Sequence, residues 1–109
     1  MVTAETAVVL PVLLLVLVGA VAAVTVVGAQ LRCVDAAREG ARAAARGEAT
    51  AVVEMLVSRT APDGATTAVS VGERDVRVTV SARIAALGPV PLRFTVSAVA
   101  VAAREPGTG

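Results

Sequence analysis

Histidine, lysine, tryptophan and tyrosine are all missing from this chain. Without histidine there is no imidazole base, no proton shuttle and none of the commonest metal ligand. A single cysteine, Cys33, excludes an intrachain disulfide and any multi-cysteine metal site. No glycine-rich phosphate loop is present, and no serine lies near a candidate base. The carboxylates are scattered over turns and helix faces. With no catalytic constellation, the chain reads as a non-enzyme with no cofactor and no metal site. Aromatics are as scarce, since Phe94 is the only one. Hydrophobic residues make up 56 % of the chain, but they are mostly Ala and Val. Such residues bury little area each, so a small soluble module built from them is marginal by itself. It is expected to lean on a helix, on neighbouring subunits, or on both. A formal charge of +1 argues against a nucleic-acid partner.

What is present in quantity is apolar helix. Thr6–Leu31 is one hydrophobic run, headed by a single acid, Glu5, and Ala7–Ala29 holds no charge. At about 1.5 Å per residue that uncharged stretch makes a helix of roughly 35 Å, enough to cross a hydrocarbon core of about 30 Å. A cleaved secretory signal fits less well: its leading segment should be basic and its apolar core shorter. Glu5 suits the positive end of a helix dipole whatever else it does. Pro11 lies inside the run and predicts a mild kink. Gly19 and Ala23 have the small-xxx-small spacing that permits close helix approach, and Gly28 adds another small site. Small residues are also common in any Ala-rich membrane helix.

Gln30 and Arg32 mark the membrane exit. Cys33–Arg46 continues as helix, rich in Ala and free of Pro. Asp35 with Arg38, and Glu39 with Arg42, have the i,i+3 spacing of stabilising pairs. Arg38, Arg42 and Arg46 form a basic stripe, read as a solvated face or as a contact for lipid headgroups or a neighbour's acids. Cys33 reads as an inert small hydrophobe, with lipidation or an intersubunit disulfide as alternatives. Gly47 ends or bends the helix. Glu48–Thr60 is a second helix, with Val52, Met55, Leu56 and Arg59 as the stripe able to bury. Ala61-Pro62-Asp63-Gly64 is a turn.

The period then changes from helical to two. Val76, Val78, Val80, Ala82 and Ile84 alternate with Arg77, Thr79, Ser81 and Arg83, the pattern of a half-buried strand. Ala65–Val71 precedes it with Thr67, Val69 and Val71 inward, joined by a four-residue hairpin turn, Gly72-Glu73-Arg74-Asp75. Leu92–Ala102 is a third strand, with Leu92, Phe94, Val96, Ala98 and Ala100 on one face. The linker Ala85–Pro91 holds Gly88, Pro89 and Pro91 and is expected to be irregular. The fold class is therefore α+β: a long membrane helix, a short second helix and a three-stranded antiparallel sheet. One face of that sheet needs cover, from Glu48–Thr60 or from the end of the long helix. The expected organisation is 1–47 for the membrane helix and its extension, 48–104 for the small domain, and 105–109 for a frayed tail.

An acid at position five heading a long apolar helix resembles a mature type IV pilin or pseudopilin. More narrowly, Glu5-Thr6-Ala7-Val8-Val9-Leu10-Pro11 resembles the start of TadE-like proteins, minor pilins of tight-adherence (type IVc) pili. Asp35-Ala36-Ala37-Arg38-Glu39-Gly40-Ala41-Arg42 is similar to their Ala-Ala-Arg-rich helix extension, and Phe94–Val101 to their C-terminal strand. The resemblance implies a pilin-like fold and a role in pilus assembly. It implies that a prepilin peptidase removes a short basic leader on the cytoplasmic side. Glu5 would then pair with the freed amine of an adjacent subunit. It makes other pilin subunits, the assembly platform and membrane lipids the partners. A single-pass membrane adaptor or regulator with a partner-binding small domain is the alternative.

Two features depart from the family pattern. The chain starts at Met1 with no leader before Glu5, which leaves open a mature form, a trimmed start or the absence of processing. Arg32, Arg38, Arg42 and Arg46 follow the apolar run and no basic residue precedes it. The positive-inside rule alone would place the C-terminal part in the cytoplasm. The pilin resemblance requires the opposite, a single-pass protein of the cell membrane with its C-terminal domain extracytoplasmic, and incorporation in a surface pilus. A basic leader would reverse the charge count, and the pilin orientation is the expectation adopted.

Overall fold

A computed structural model describes residues 3–85 and 93–104. The molecule is a rod, 77 Å long and 20 × 16 Å across. Its length comes from one α-helix, α1 (Thr3–Ala45), which runs without interruption through Pro11. A second helix, α2 (Thr50–Thr60), lies beside its C-terminal end. Three strands follow: β1 (Thr66–Val71), β2 (Asp75–Ala85) and β3 (Arg93–Ala103). They form one antiparallel sheet in the order β1-β2-β3. The expected α+β architecture is therefore the one observed. The irregular linker, Leu92 and the tail 105–109 lie outside the described residues.

Helix α1 stops where its backbone turns left-handed. Gly47 has φ +84°, a conformation that costs a residue with a Cβ but not glycine. The Gly47 N–H donates to the Ala44 carbonyl at 3.0 Å, and the Glu48 N–H to the Ala43 carbonyl at 3.2 Å. That pair of bonds is a Schellman cap, which satisfies carbonyls the helix end would otherwise leave open. Helix α2 begins two residues after Glu48, with Ala49 as its N-cap.

The strand register places the inner faces in phase. Val76, Val78, Val80 and Ala82 of β2 stand opposite Ala102, Ala100, Ala98 and Val96 of β3. Val71, Val69 and Thr67 of β1 stand opposite Val76, Val78 and Val80. The β2 valines are fully buried, whereas Val71 at the sheet's far end stays 59 % exposed. The hairpin is shorter than expected: only 72–74 connect the strands, because the Gly72 N–H donates to the Asp75 carbonyl at 2.7 Å and draws Asp75 into β2.

Of the two candidate covers, α1 lies across β2 and β3, while α2 packs mainly on α1 and reaches the sheet at its margin by β1. Ala29, Cys33, Ala36, Ala37, Gly40, Ala41 and Ala44 of α1 form a buried stripe, and Val53 and Val57 of α2 close its side. This corrects the expected stripe of α2. Val52, Met55 and Arg59 are exposed, Leu56 is half-buried, and the core residues are Val53 and Val57. The helix Ala51–Val57 is apolar on several faces, so its period left two stripes open. The open groove at Gly40 selected the one carrying Val57.

The expected i,i+3 ion pairs of α1 do not form either. Among the described residues the ion pair within 4 Å is Arg46–Glu48, at 3.8 Å across the helix end. Glu39 instead accepts a hydrogen bond from the Thr60 hydroxyl at 3.1 Å, joining the charged face of α1 to the end of α2. The gain from an exposed i,i+3 pair is only about 0.2–0.5 kcal/mol, too little to hold long side chains against water and other partners.

Candidate assembly interface

Helix α1 has two halves with opposite surroundings. Up to Gly28 no residue of the helix is buried, and its most apolar window, of mean hydropathy 3.0, is 0 % buried within the chain. Leu10, Leu13, Leu14, Leu15 and Leu17 all stand more than half exposed. From Ala29 onward the same helix is packed under the sheet. A folded chain has no use for the first half in its own core. An apolar surface of this size is explained by a lipid or protein environment. By length and composition the helix can cross a membrane.

Glu5 sits in the first turn of α1, exposed, at the tip of the rod. Pro11 is exposed within the helix one and a half turns later. Gly19 is exposed and Gly28 half-covered, and a Cβ at either position would meet nothing within 4 Å. Ala23 is exposed as well. At about 100° per residue Gly19 and Ala23 share a face, while Gly28 points about 180° from Gly19. The small residues of the apolar half thus offer two separate places for close approach, not one seam. Glu5 lies about 36 Å along the axis from the start of the buried stripe at Ala29. The structure brings none of these residues into contact with the sheet domain except Gly28, beside the sheet's lower end.

The tight helix contact in this chain lies in the other half. At Gly40 a Cβ would stand 2.7 Å from Val57 Cγ2, 3.2 Å from Val78 Cγ1 and 3.4 Å from Val53 Cγ1. Only a glycine lets α1, α2 and β2 meet there. Sequence reading credited this segment's alanines to helix propensity and missed their face. The signal was available. Asp35, Arg38, Glu39, Arg42 and Arg46 mark one side of the helix, and the small residues at 33, 36, 37, 40, 41 and 44 fall on the other.

Polar bonds fix the junction between the two halves. The Arg32 guanidinium donates to the carbonyls of Thr60 at 3.3 Å and Ala61 at 3.2 Å, closing the C-terminal end of α2. The Gln30 amide donates to the Ser97 carbonyl at 2.8 Å on the edge strand β3. Gln30 therefore ties the helix to the sheet, and Arg32 ties it to the end of α2.

Cys33 lies one turn below Ala37 under the sheet and is 0 % exposed. Burial pushes its thiol pKa up, against the lowering effect of the Arg32 guanidinium. A raised pKa leaves less thiolate, the reactive form. Both features agree with the inert small hydrophobe and leave no room for a lipid or an intersubunit bridge in this fold. Native protein is expected to resist N-ethylmaleimide and to react fully once denatured in urea, measured by mass spectrometry. Rapid labelling of the native chain would contradict the packing of β2 and β3 on α1. Membrane orientation therefore has to be probed with a cysteine at exposed Ser58 in a Cys33→Ala background.

Comparison with known proteins locates the chain. Residues 1–42 match the family described as TadE-like protein. A protein of Mycobacterium tuberculosis (strain ATCC 25618 / H37Rv) named "Apoptosis inhibitor Rv3655c" is 38 % identical over 104 residues, covering 95 % of this chain and 79 % of that protein. No solved structure matches. The family match covers Glu5, Pro11, the whole bare half of α1 and most of its buried stripe. A bare membrane-length helix, continuous with a sheet-covered extension and carrying this match, makes the chain a membrane-anchored member of the TadE-like protein family.

Proposed function

We propose that this chain is a non-enzymatic minor pilin or pseudopilin-like subunit that takes part in assembly of a tight-adherence type IV pilus. One observation carries the reading: the half of α1 that its own fold leaves bare is the half headed by Glu5. In this reading the helix is the working part, and it exchanges lipid for the helices of neighbouring subunits. Glu5 meets the N-terminal amine of an adjacent subunit, since a lone carboxylate at low dielectric is costly and an ammonium offsets that cost. Gly19 and Ala23 admit one neighbouring helix closely, Gly28 a second, and Pro11 loosens the helix for the transfer. Residues 1–47 act as anchor and stem, 48–104 as the carried domain, and 105–109 as its tail. The carried domain is extracytoplasmic, and a prepilin peptidase, if a leader precedes Glu5, frees the amine.

A photoreactive residue at Leu14 tests this in piliated cells. The expected product after irradiation is a cross-link to another pilin, recovered in sheared pili. A second reading is a single-pass membrane adaptor or regulator whose small domain binds a partner protein. The relative named an apoptosis inhibitor is the observation on its side. Cross-links to lipid only, with partners captured solely from the sheet domain, would decide for that reading.

A further inference from the structure

The sheet reaches further down α1 than the polar residues of the helix suggest. Gln30 is bonded to Ser97, yet the strands continue past that level. Arg83, Ile84 and Ala85 end β2 beside Val24 and Gly28, and together with Arg32 and Pro62 they line a groove of about 480 Å³. A helix segment from Glu5 to Val24 is about 30 Å long, the full thickness of a hydrocarbon core. With Glu5, the charge that heads the run, at one edge of that core, Val24 stands at the other, Thr25–Ala29 fill the interfacial layer, and Gln30 and Arg32 mark its outer side. The groove then begins where the acyl chains end, and Arg32 lies about 12 Å further out. The interfacial layer on each side is about 5–8 Å deep, so the part of the groove from Val24 to Ala29 occupies it and Arg32 stands at its outer rim.

The chemistry of this end suits that layer. Its floor is apolar, from Val24, Gly28 and Ile84. Phe94, the one aromatic of the chain, pairs with Ile84 across the strands and stays 38 % exposed. Arg83 lines the groove, and Arg93, paired with Ala85, begins β3 at the same level. Both are exposed. Asp63 is the opposing charge in the lining. Strand alternation places Arg83 and Arg93 on the outer face of the sheet and Ile84 and Phe94 on the helix face, so this end carries arginine charge beside its apolar floor; Arg32, bonded to Thr60 and Ala61, adds a third positive charge against Asp63.

We propose that this end of the sheet docks on the membrane and holds the phosphate headgroup of an anionic phospholipid. Arg83 and Arg93 meet the phosphate, and Phe94 and Ile84 settle at the acyl boundary. The soluble domain is thereby held against the bilayer in a set orientation. This inference rests on α1 spanning the membrane, and not on the identity of the pilus.

The absence of tryptophan and tyrosine makes the test clean, because one introduced tryptophan is the sole emitter. Full-length Phe94→Trp protein is reconstituted in phosphatidylcholine vesicles, with or without about a quarter phosphatidylglycerol, and quenched with brominated lipids. The expected result is quenching by bromines near the headgroup, stronger in the anionic vesicles. Removing both charges in Arg83→Gln/Arg93→Gln is expected to weaken docking about thirtyfold in those vesicles. Ala85→Trp gives the same readout from the neighbouring strand should Phe94→Trp perturb the fold. Val71→Trp, at the far end of the sheet, should remain unquenched.

Equal quenching in both vesicles, untouched by the arginine changes, would overturn the anionic-lipid site. So would a tryptophan shielded from both brominated lipid and aqueous iodide, which marks cover by a second copy. A Leu14→Trp probe separates the premise from the inference. Its failure to be quenched from the bilayer centre would count against the membrane span itself.

Discussion

Gly40→Leu is expected to unfold the sheet from the helix. The position is the closest approach of three elements. Even a bare Cβ would stand 2.7 Å from Val57 Cγ2, and Val78 Cγ1 closes the other side at 3.2 Å. Val53, Val57 and Val78 are each fully or almost fully buried. Valine is stiff at its single side-chain torsion, so neither methyl can swing away cheaply. Forcing methylenes into such a site costs about 1–3 kcal/mol and sometimes more. Gly40→Ala separates two effects of opposite sign. Alanine favours the helix by about 1 kcal/mol, while its methyl meets Val57. We expect a net loss for alanine and, for leucine, a cost at or beyond the upper end of that range. Urea unfolding followed by circular dichroism in mild detergent measures both. Val57→Ala added to Gly40→Ala should restore part of the loss, because it removes the methyl that clashes. An unchanged urea midpoint in Gly40→Leu would mean that the sheet does not rest on this face of α1.

Glu5→Ala is expected to abolish piliation while leaving the protein in the membrane. Insertion depends on the apolar run, which the change lengthens. Assembly, in the proposed mechanism, depends on pairing a carboxylate with a neighbour's amine. Removing one member of such a pair leaves the other charge uncompensated, at a cost of about 3–5 kcal/mol. That corresponds to at least a hundredfold loss in the assembly equilibrium. Pilus counts by electron microscopy, beside membrane fractionation of the variant, read the two effects separately. Glu5→Gln should fail nearly as badly, because it keeps the shape and removes the charge. Normal pilus numbers in Glu5→Ala would return this residue to the simpler role of an acid at the positive end of a helix dipole.

These two residues show how unevenly the sequence could be read. Glu5 was visible because it is the only charge for more than twenty positions, and a lone charge at the head of an apolar run demands a reason. Gly40 was hidden in an alanine-rich stretch where every residue favours helix. Nothing local distinguishes an alanine that faces water from one pressed against a sheet. The face emerges only when the five charged residues opposite are plotted round the helix. Helix α2 failed for a related reason. Two apolar stripes one residue apart fit its period equally well, and the choice fell to Val53 and Val57 because those fit the notch at Gly40. The pairing of Asp35 with Arg38 failed differently, since spacing permits an ion pair without supplying the energy to hold it.

The sequence by itself determined the element order, the strand faces and the existence of a membrane-length helix. Each of these follows from a periodicity: an uncharged run long enough for a bilayer, and a two-residue alternation that one buried face enforces. Tertiary structure alone decided where the helix stops being a surface and becomes a core. That border, at Ala29, has no mark on the face that becomes buried, because small residues line the helix both before it, at Ala22 and Gly28, and after it, at Cys33, Ala36 and Ala37. It is set by the length of β2 and β3, which reach back along the helix to Val24, by the bond from Gln30 to Ser97 of β3, and by the bonds from Arg32 that fasten the end of α2 beside them. Burial depends on what lies opposite a residue, and that information is carried by segments some fifty to seventy positions away along the chain.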